Sequence, residues 1–179
     1  LSIADSDVLL WCKGIATANN FDVNLSEPDV SPLSLQGPKA PLVMKKILGQ
    51  WAYELKFFYF KETNIENIPV VLARTGWSGE TGYEIFLRDG SLGNKLWEII
   101  MSAGKNFNIA PAAPSQINRI EGGMLSYGSD MSLEQNPYDI SLGKFVNLDK
   151  KSDFLSKKSL TIIKNEGFKK ELVGIEILG

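Results

Sequence analysis

The chain contains no histidine and a single cysteine, Cys12. Without imidazole there is no base for a Ser-His-Asp or Cys-His arrangement. With so few nitrogen and sulfur ligands, a zinc, haem or copper site is not expected. One cysteine cannot form an internal disulfide, which fits a reducing compartment and leads to the expectation of a cytoplasmic protein. Cys12 lies in the apolar run Val8-Leu9-Leu10-Trp11-Cys12 and reads as a small core residue. Arginine is scarce as well: the 19 basic residues include only Arg74, Arg88 and Arg119, against 21 acidic ones. A net charge of -2 with no basic stripe gives no reason to expect a nucleic-acid partner. No apolar run approaches a membrane span, and the first residues lack a signal-peptide pattern, so no membrane partner is expected.

The 179 residues are 44% apolar, enough to bury a sizeable core. Val8, Leu9, Trp11, Cys12, Ile15 and Ala16 recur at helical spacing, and the helix should end by Asn19-Asn20. Strands are expected over Phe21–Leu25, Val30–Gln36, Phe57–Glu62 and Val70–Thr75, with Asn64–Pro69 connecting the last two. Gly37-Pro38 opens a helix carried by Val43, Met44, Ile47 and Leu48 and closed by Gly49. The turn Gly76-Trp77-Ser78-Gly79-Glu80-Thr81-Gly82 leads into a strand with Tyr83, Ile85 and Leu87 on one face and Glu84, Phe86 and Arg88 on the other. Arg74 to Leu87 is therefore expected as a tight hairpin. Ser91 is a candidate cap for a helix through Leu92, Leu96, Ile99 and Ile100, Trp11 and Trp97 in their helical patterns are read as core residues, and Ser115–Leu125 reads as a further helix. Short strands and a Lys-rich loop, Lys150–Lys158, should follow Tyr127. Strands and helices mix without strict β-α-β alternation, so the expected class is α+β with mainly antiparallel sheet. The chain opens at Leu1 without methionine and closes on the alternating stretch Glu171 to Gly179, which reads as a strand cut short. An internal fragment of a longer protein is expected.

Arg74-Thr75-Gly76-Trp77-Ser78-Gly79-Glu80-Thr81-Gly82-Tyr83-Glu84-Ile85 resembles the R-T-G-Y-T-G-E-x-G-Y-E-I signature of the glycine cleavage T-protein (aminomethyltransferase) superfamily, with Trp77 in place of the usual tyrosine. Arg119-Ile120-Glu121-Gly122-Gly123-Met124 with Tyr127-Gly128 is similar to a second block of that superfamily. Asn136-Pro137, Leu142, Asp149-Lys150, Phe154 and Leu160 are similar to a third. The resemblance implies a folate-binding fold incomplete at both ends. Residues 1–168 would be the central part of the folate-binding domains, and 169–179 the first strand of a truncated C-terminal barrel domain.

The glycines of the first block would let the chain turn tightly and approach a flat ligand. A carboxylate at Glu84 can accept two N–H bonds from the amino-pyrimidinone edge of a pterin, the role the resemblance implies for it. As part of a strand alone, Glu84 is an exposed glutamate. Trp77, an aromatic in a glycine-rich turn, is read as a ligand contact. Trp51, at an element boundary, is either a ligand contact or a core residue. Asp7 matches the aspartate that orients folate and the aminomethyl group in the T-protein, which makes it the catalytic candidate; a helix-start aspartate explains it equally.

Where the T-protein has an A-R-D triplet whose arginine belongs to the folate site, this chain has Pro114-Ser115-Gln116. That departure, with Ala110-Pro111, Tyr127-Gly128-Ser129-Asp130-Met131 and Ala4-Asp5-Ser6-Asp7-Val8-Leu9-Leu10-Trp11, is more similar to the sulfonium demethylase branch. The resemblance implies tetrahydrofolate as methyl acceptor and dimethylsulfoniopropionate as donor. The products would be methylthiopropionate and 5-methyltetrahydrofolate. Aromatic faces such as Trp77 would hold the cation. An aminomethyltransferase or amine demethylase is the alternative, followed by a folate-binding paralogue without catalysis. The partner is a small sulfonium or amine substrate, and a homodimer is left open.

Overall fold

A computed structural model describes residues 8–178. They fall into two compact units, one made of residues 8–76 and 80–113, the other of 77–79 and 114–178.

The first unit is built on one four-stranded sheet: β1 (Ser31–Gln36), β2 (Phe60–Ile65), β3 (Ile68–Ala73) and β4 (Gly82–Leu87), in the order β1-β4-β3-β2. Every ladder of this sheet is antiparallel, in keeping with the α+β class expected. β2 and β3 meet through a two-residue turn, Ile65 pairing with Ile68 and Glu66 taking φ 53°. The connection is shorter than the sequence suggests, and β2 is shifted toward the turn. β3 and β4 also pair as expected, but residues 74–81 join them as a broad loop rather than a tight turn.

Alternation decides which side of the sheet is covered. Leu35, Leu72, Tyr83, Ile85 and Leu87 face the helices α2 (Ala40–Leu48), α3 (Gln50–Tyr53) and α4 (Gly93–Gly104) in one core with Met44, Leu96 and Ile100. Each such side chain contributes roughly 1.5–3 kcal/mol by leaving water. α2 begins with Pro41 in its first turn, has Lys45 and Lys46 in its last, and ends where Gly49 turns at φ 87°. Proline at the start, cations near the C-terminal dipole and glycine after it are the expected punctuation. A short 3-10 turn, Gly90–Leu92, precedes α4; Asp89, not Ser91, caps it by accepting from the Ser91 N–H.

Several apolar residues lie elsewhere than their runs suggest. Trp97 is 44% exposed, because it stands about 100° around α4 from its neighbour Leu96 in the buried stripe Leu96, Ile100, Ala103. Helix α1 (Val8–Ala18) forms where expected, but none of its residues is buried, and Trp11 is 58% exposed. Cys12 is accordingly half-buried rather than a core residue. Residues 21–30 form no strand.

The second unit has two helices, α5 (Gln116–Glu121) and α6 (Lys157–Glu166), joined by turns. The Ser115 hydroxyl caps α5 by accepting the Asn118 N–H at 3.2 Å. The helix stops four residues before Leu125, at Gly122 and at Gly123 with φ 66°. Where strands were expected after Tyr127, side chains stitch turns instead: Asn136 accepts the Tyr138 N–H and donates to Asp139. One isolated parallel bridge, Tyr127 to Met131, is present. α6 replaces part of the expected Lys-rich loop, with Leu160 on its less exposed side. Residues 169–178 form neither helix nor strand, and Leu172 donates to the Asp139 carbonyl at 2.7 Å.

Candidate functional site

β4 carries two kinds of chemistry on its two sides. Tyr83 points into the core, where it is fully buried. Its hydroxyl donates to the Ala52 carbonyl at 2.8 Å and accepts from the Arg74 guanidinium, which also lies over the ring. Burial pushes the Tyr83 phenol up, and the Arg74 charge opposes it. Glu84, the next residue, faces the opposite side of the sheet, paired across the ladders with Ser34 and Ala73. The Thr75 hydroxyl donates to Glu84 Oε2 at 2.5 Å. That leaves Oε1 available on a partly exposed sheet face.

Gln36, at the end of β1, joins both ends of the glycine-rich loop. Its amide nitrogen donates to the carbonyls of Thr75 and Tyr83 and to the Ser34 hydroxyl. Gly76 and Gly82 lie directly under this amide, and a Cβ at either would collide with it. These two glycines therefore make room for a side chain of the protein itself, a reason different from the close ligand approach expected of them. Gly79 alone of the three takes positive φ, 76°. It also packs against Gly122, where a Cβ would sit 2.6 Å from the Gly79 Cα.

Trp51 lies on α3 against the core, with Lys61 Nζ 4.4 Å from its ring centroid. It is thus on the helix-covered side of the sheet, away from Glu84. Asp7 lies outside the described residues.

Trp77 belongs to the second unit. Its indole N–H donates to the Leu125 carbonyl at 3.3 Å, and the residue is 37% exposed. The Arg119 guanidinium carbon lies over it, 5.3 Å from the centroid. A cation of the chain itself therefore lies against the ring that was expected to receive a cationic methyl donor. Arg119 is only 3% exposed and organises this unit: it donates to Gln116, the Met124 carbonyl and the Asp130 carboxylate. The Ser126 N–H first, and the Arg119 guanidinium after it, hold the Asp130 carboxyl below the usual carboxylate range. Neither Gln36 nor the Arg119–Asp130 pair is singled out as a site by the sequence. A glutamine ending a strand, and an arginine in a short helix, carry no local sign of their distant partners.

Among the described residues no helix is long and apolar enough to cross a membrane. Residues 2–150 match the family described as the GCVT N-terminal domain. The chain is 42% identical to the dimethylsulfoniopropionate demethylase of Ruegeria pomeroyi over 160 residues, 89% of this chain and 43% of that protein. It is 34% identical to the aminomethyltransferase of Thermoanaerobacter pseudethanolicus over 171 residues, 94% of this chain and 46% of that protein. It thus spans less than half the length of these relatives. The crystal structure of glycine cleavage system aminomethyltransferase T from Bartonella henselae shares the fold, with TM-score 0.67 and 22% identity over 88% of this chain and 43% of that one. The match across most of the chain, with the antiparallel sheet that carries its signature loop, shows that the chain belongs to the glycine cleavage T-protein family.

Proposed function

We propose that this chain is part of a tetrahydrofolate-dependent methyltransferase whose methyl donor is dimethylsulfoniopropionate. The observation that carries the folate half of this reading is Glu84. A carboxylate on an open sheet face, with one oxygen held by Thr75 and the other available, fits the paired N–H donors of a pterin edge. The donor half is supported by the 42% identity to a dimethylsulfoniopropionate demethylase, above the 34% to an aminomethyltransferase.

When bound, tetrahydrofolate supplies the nitrogen that accepts the methyl. The methyl would pass from sulfur, which would keep the electron pair as a neutral thioether, to that nitrogen, with release of a proton. The products are methylthiopropionate and 5-methyltetrahydrofolate. A sulfonium methyl is already activated, so the residues here have to align rather than activate. Glu84 fixes the pterin in the plane of its amino-pyrimidinone edge, and Thr75 fixes Glu84. Trp51 is assigned to the core. Trp77, with Arg119 on its ring, orders the turn that holds it. Asp7 remains the candidate for orienting the reacting groups, residues 169–179 are read as the start of a further domain, and the location is cytoplasmic.

The test is methyl transfer to tetrahydrofolate by the full-length protein, offered dimethylsulfoniopropionate, glycine betaine and an aminomethyl-lipoyl carrier in parallel. Preference for the sulfonium is expected. Turnover of the lipoyl carrier alone would replace this reading with the aminomethyltransferase reaction that the second relative's name describes.

A further inference from the structure

The paired register of β3 and β4 ends at Ala73 and Glu84. From Thr75 outward the two chains diverge into the loop, just where Glu84 has to be held. The Gln36 amide spans this gap. Its nitrogen lies 3.3 Å from the Thr75 carbonyl oxygen, 3.2 Å from that of Tyr83 and 3.0 Å from Ser34 Oγ. Thr75 is the residue whose hydroxyl holds Glu84, and Tyr83 is the residue whose carbonyl precedes it. Next to Gln36, the Gly37 N–H donates to the Thr81 carbonyl at 2.8 Å, so β1 grips the loop at adjacent positions. Gly76 and Gly82 keep the space that the amide fills.

We infer that Gln36 is a positioning residue for Glu84: it fixes the backbone on both sides of the Thr75–Glu84 pair and so aims the available carboxylate oxygen at the pterin. The inference rests on the reading of Glu84 as the pterin anchor. Two amide donors replace the ladder bonds that the diverging strands no longer make. Without them, Thr75 and Glu84 would each stay folded but would lose their fixed relation, and binding energy would go into restoring it.

The experiment is a double-mutant cycle in the full-length protein, with the dissociation constant of tetrahydrofolate measured by calorimetry well below the unfolding midpoint. Gln36→Met keeps the length and removes the amide. It should raise the dissociation constant roughly tenfold, within the range for residues in one contact network. In a Glu84→Gln background the same change should shift it less than about twofold, because a positioning residue acts through the group it positions. Equal factors in both backgrounds, or an unchanged constant for Gln36→Met, would overturn the inference while leaving Glu84 as anchor. An unchanged constant for Glu84→Gln alone would overturn the anchor reading and the inference with it. Where Gln36→Met does not fold, Gly76→Ala displaces the same amide and must show the same dependence on Glu84; independence there overturns the inference too.

Discussion

The guanidinium of Arg119 lies over the indole of Trp77, its carbon 5.3 Å from the ring centroid. Arg119 is almost completely buried and is paired on its other side with Asp130. An arginine placed this way is itself a cation that the ring stabilises. Trp77→Leu should therefore act on stability first. The lost cation–π contact, about 0.5–1 kcal/mol at a ring that is partly exposed, should lower the thermal unfolding midpoint of the full-length protein. Binding of dimethylsulfoniopropionate, measured at a temperature where the variant is folded, should change little. Unaltered stability with a selective loss of sulfonium binding would return the ring to the substrate.

Glu84→Gln replaces an acceptor oxygen with an N–H that faces the pterin's own N–H groups. Folate affinity should fall by about 1–3 kcal/mol, the cost of leaving a buried donor unpaired. Thr75→Val, which removes the hydroxyl that holds Oε2, should weaken binding less, since the carboxylate itself remains. Calorimetric titration of both variants ranks the two effects, and a Thr75 effect larger than that of Glu84 contradicts the assignment.

Tyr83→Phe keeps the ring in the core but strands two partners, the Ala52 carbonyl and the Arg74 guanidinium. A loss of about 1–3 kcal/mol in unfolding free energy is expected, typical of buried polar groups left unsatisfied. Denaturant unfolding should show a lower midpoint with an unchanged slope. A near-neutral effect would mean that water replaces the hydroxyl.

Asp130 sets a pH dependence. Its folded-state carboxyl titrates below the ordinary range, through the Ser126 N–H and then Arg119. A depressed folded value means stabilisation that is complete above the unfolded pKa and is lost as pH falls through the folded one. Asp89, held down by the Ser91 hydroxyl and N–H, acts in the same direction. Unfolding midpoints followed from about pH 6 to about pH 2 should fall on the acid side, and Asp130→Asn should make that fall shallower. An identical acid limb in the variant would show that the pair does not contribute.

Much of the first unit could be read from local pattern. Alternation put Tyr83, Ile85 and Leu87 on one face of their strand and Glu84 on the other, and the end of α2 at Gly49 was legible, although the helix starts at Ala40 rather than at the Gly37-Pro38 that was expected to open it. The order of the three sequence blocks was enough to point to the family. These features are periodic or are fixed by one residue's backbone preference, so neighbouring residues suffice to determine them. Tertiary structure decided the rest. It put Trp97 on the exposed side of α4, began a helix at Lys157 within the expected lysine-rich loop 150–158, and widened the loop after β3. It also set the Gln36 amide over Gly76 and Gly82, and Arg119 over Trp77. Those pairings join residues far apart in the chain, and neither partner's sequence neighbours restrict which distant group it meets. Only the folding of β1 beside β4, and of the α5 segment onto the 77–79 turn, brings them together.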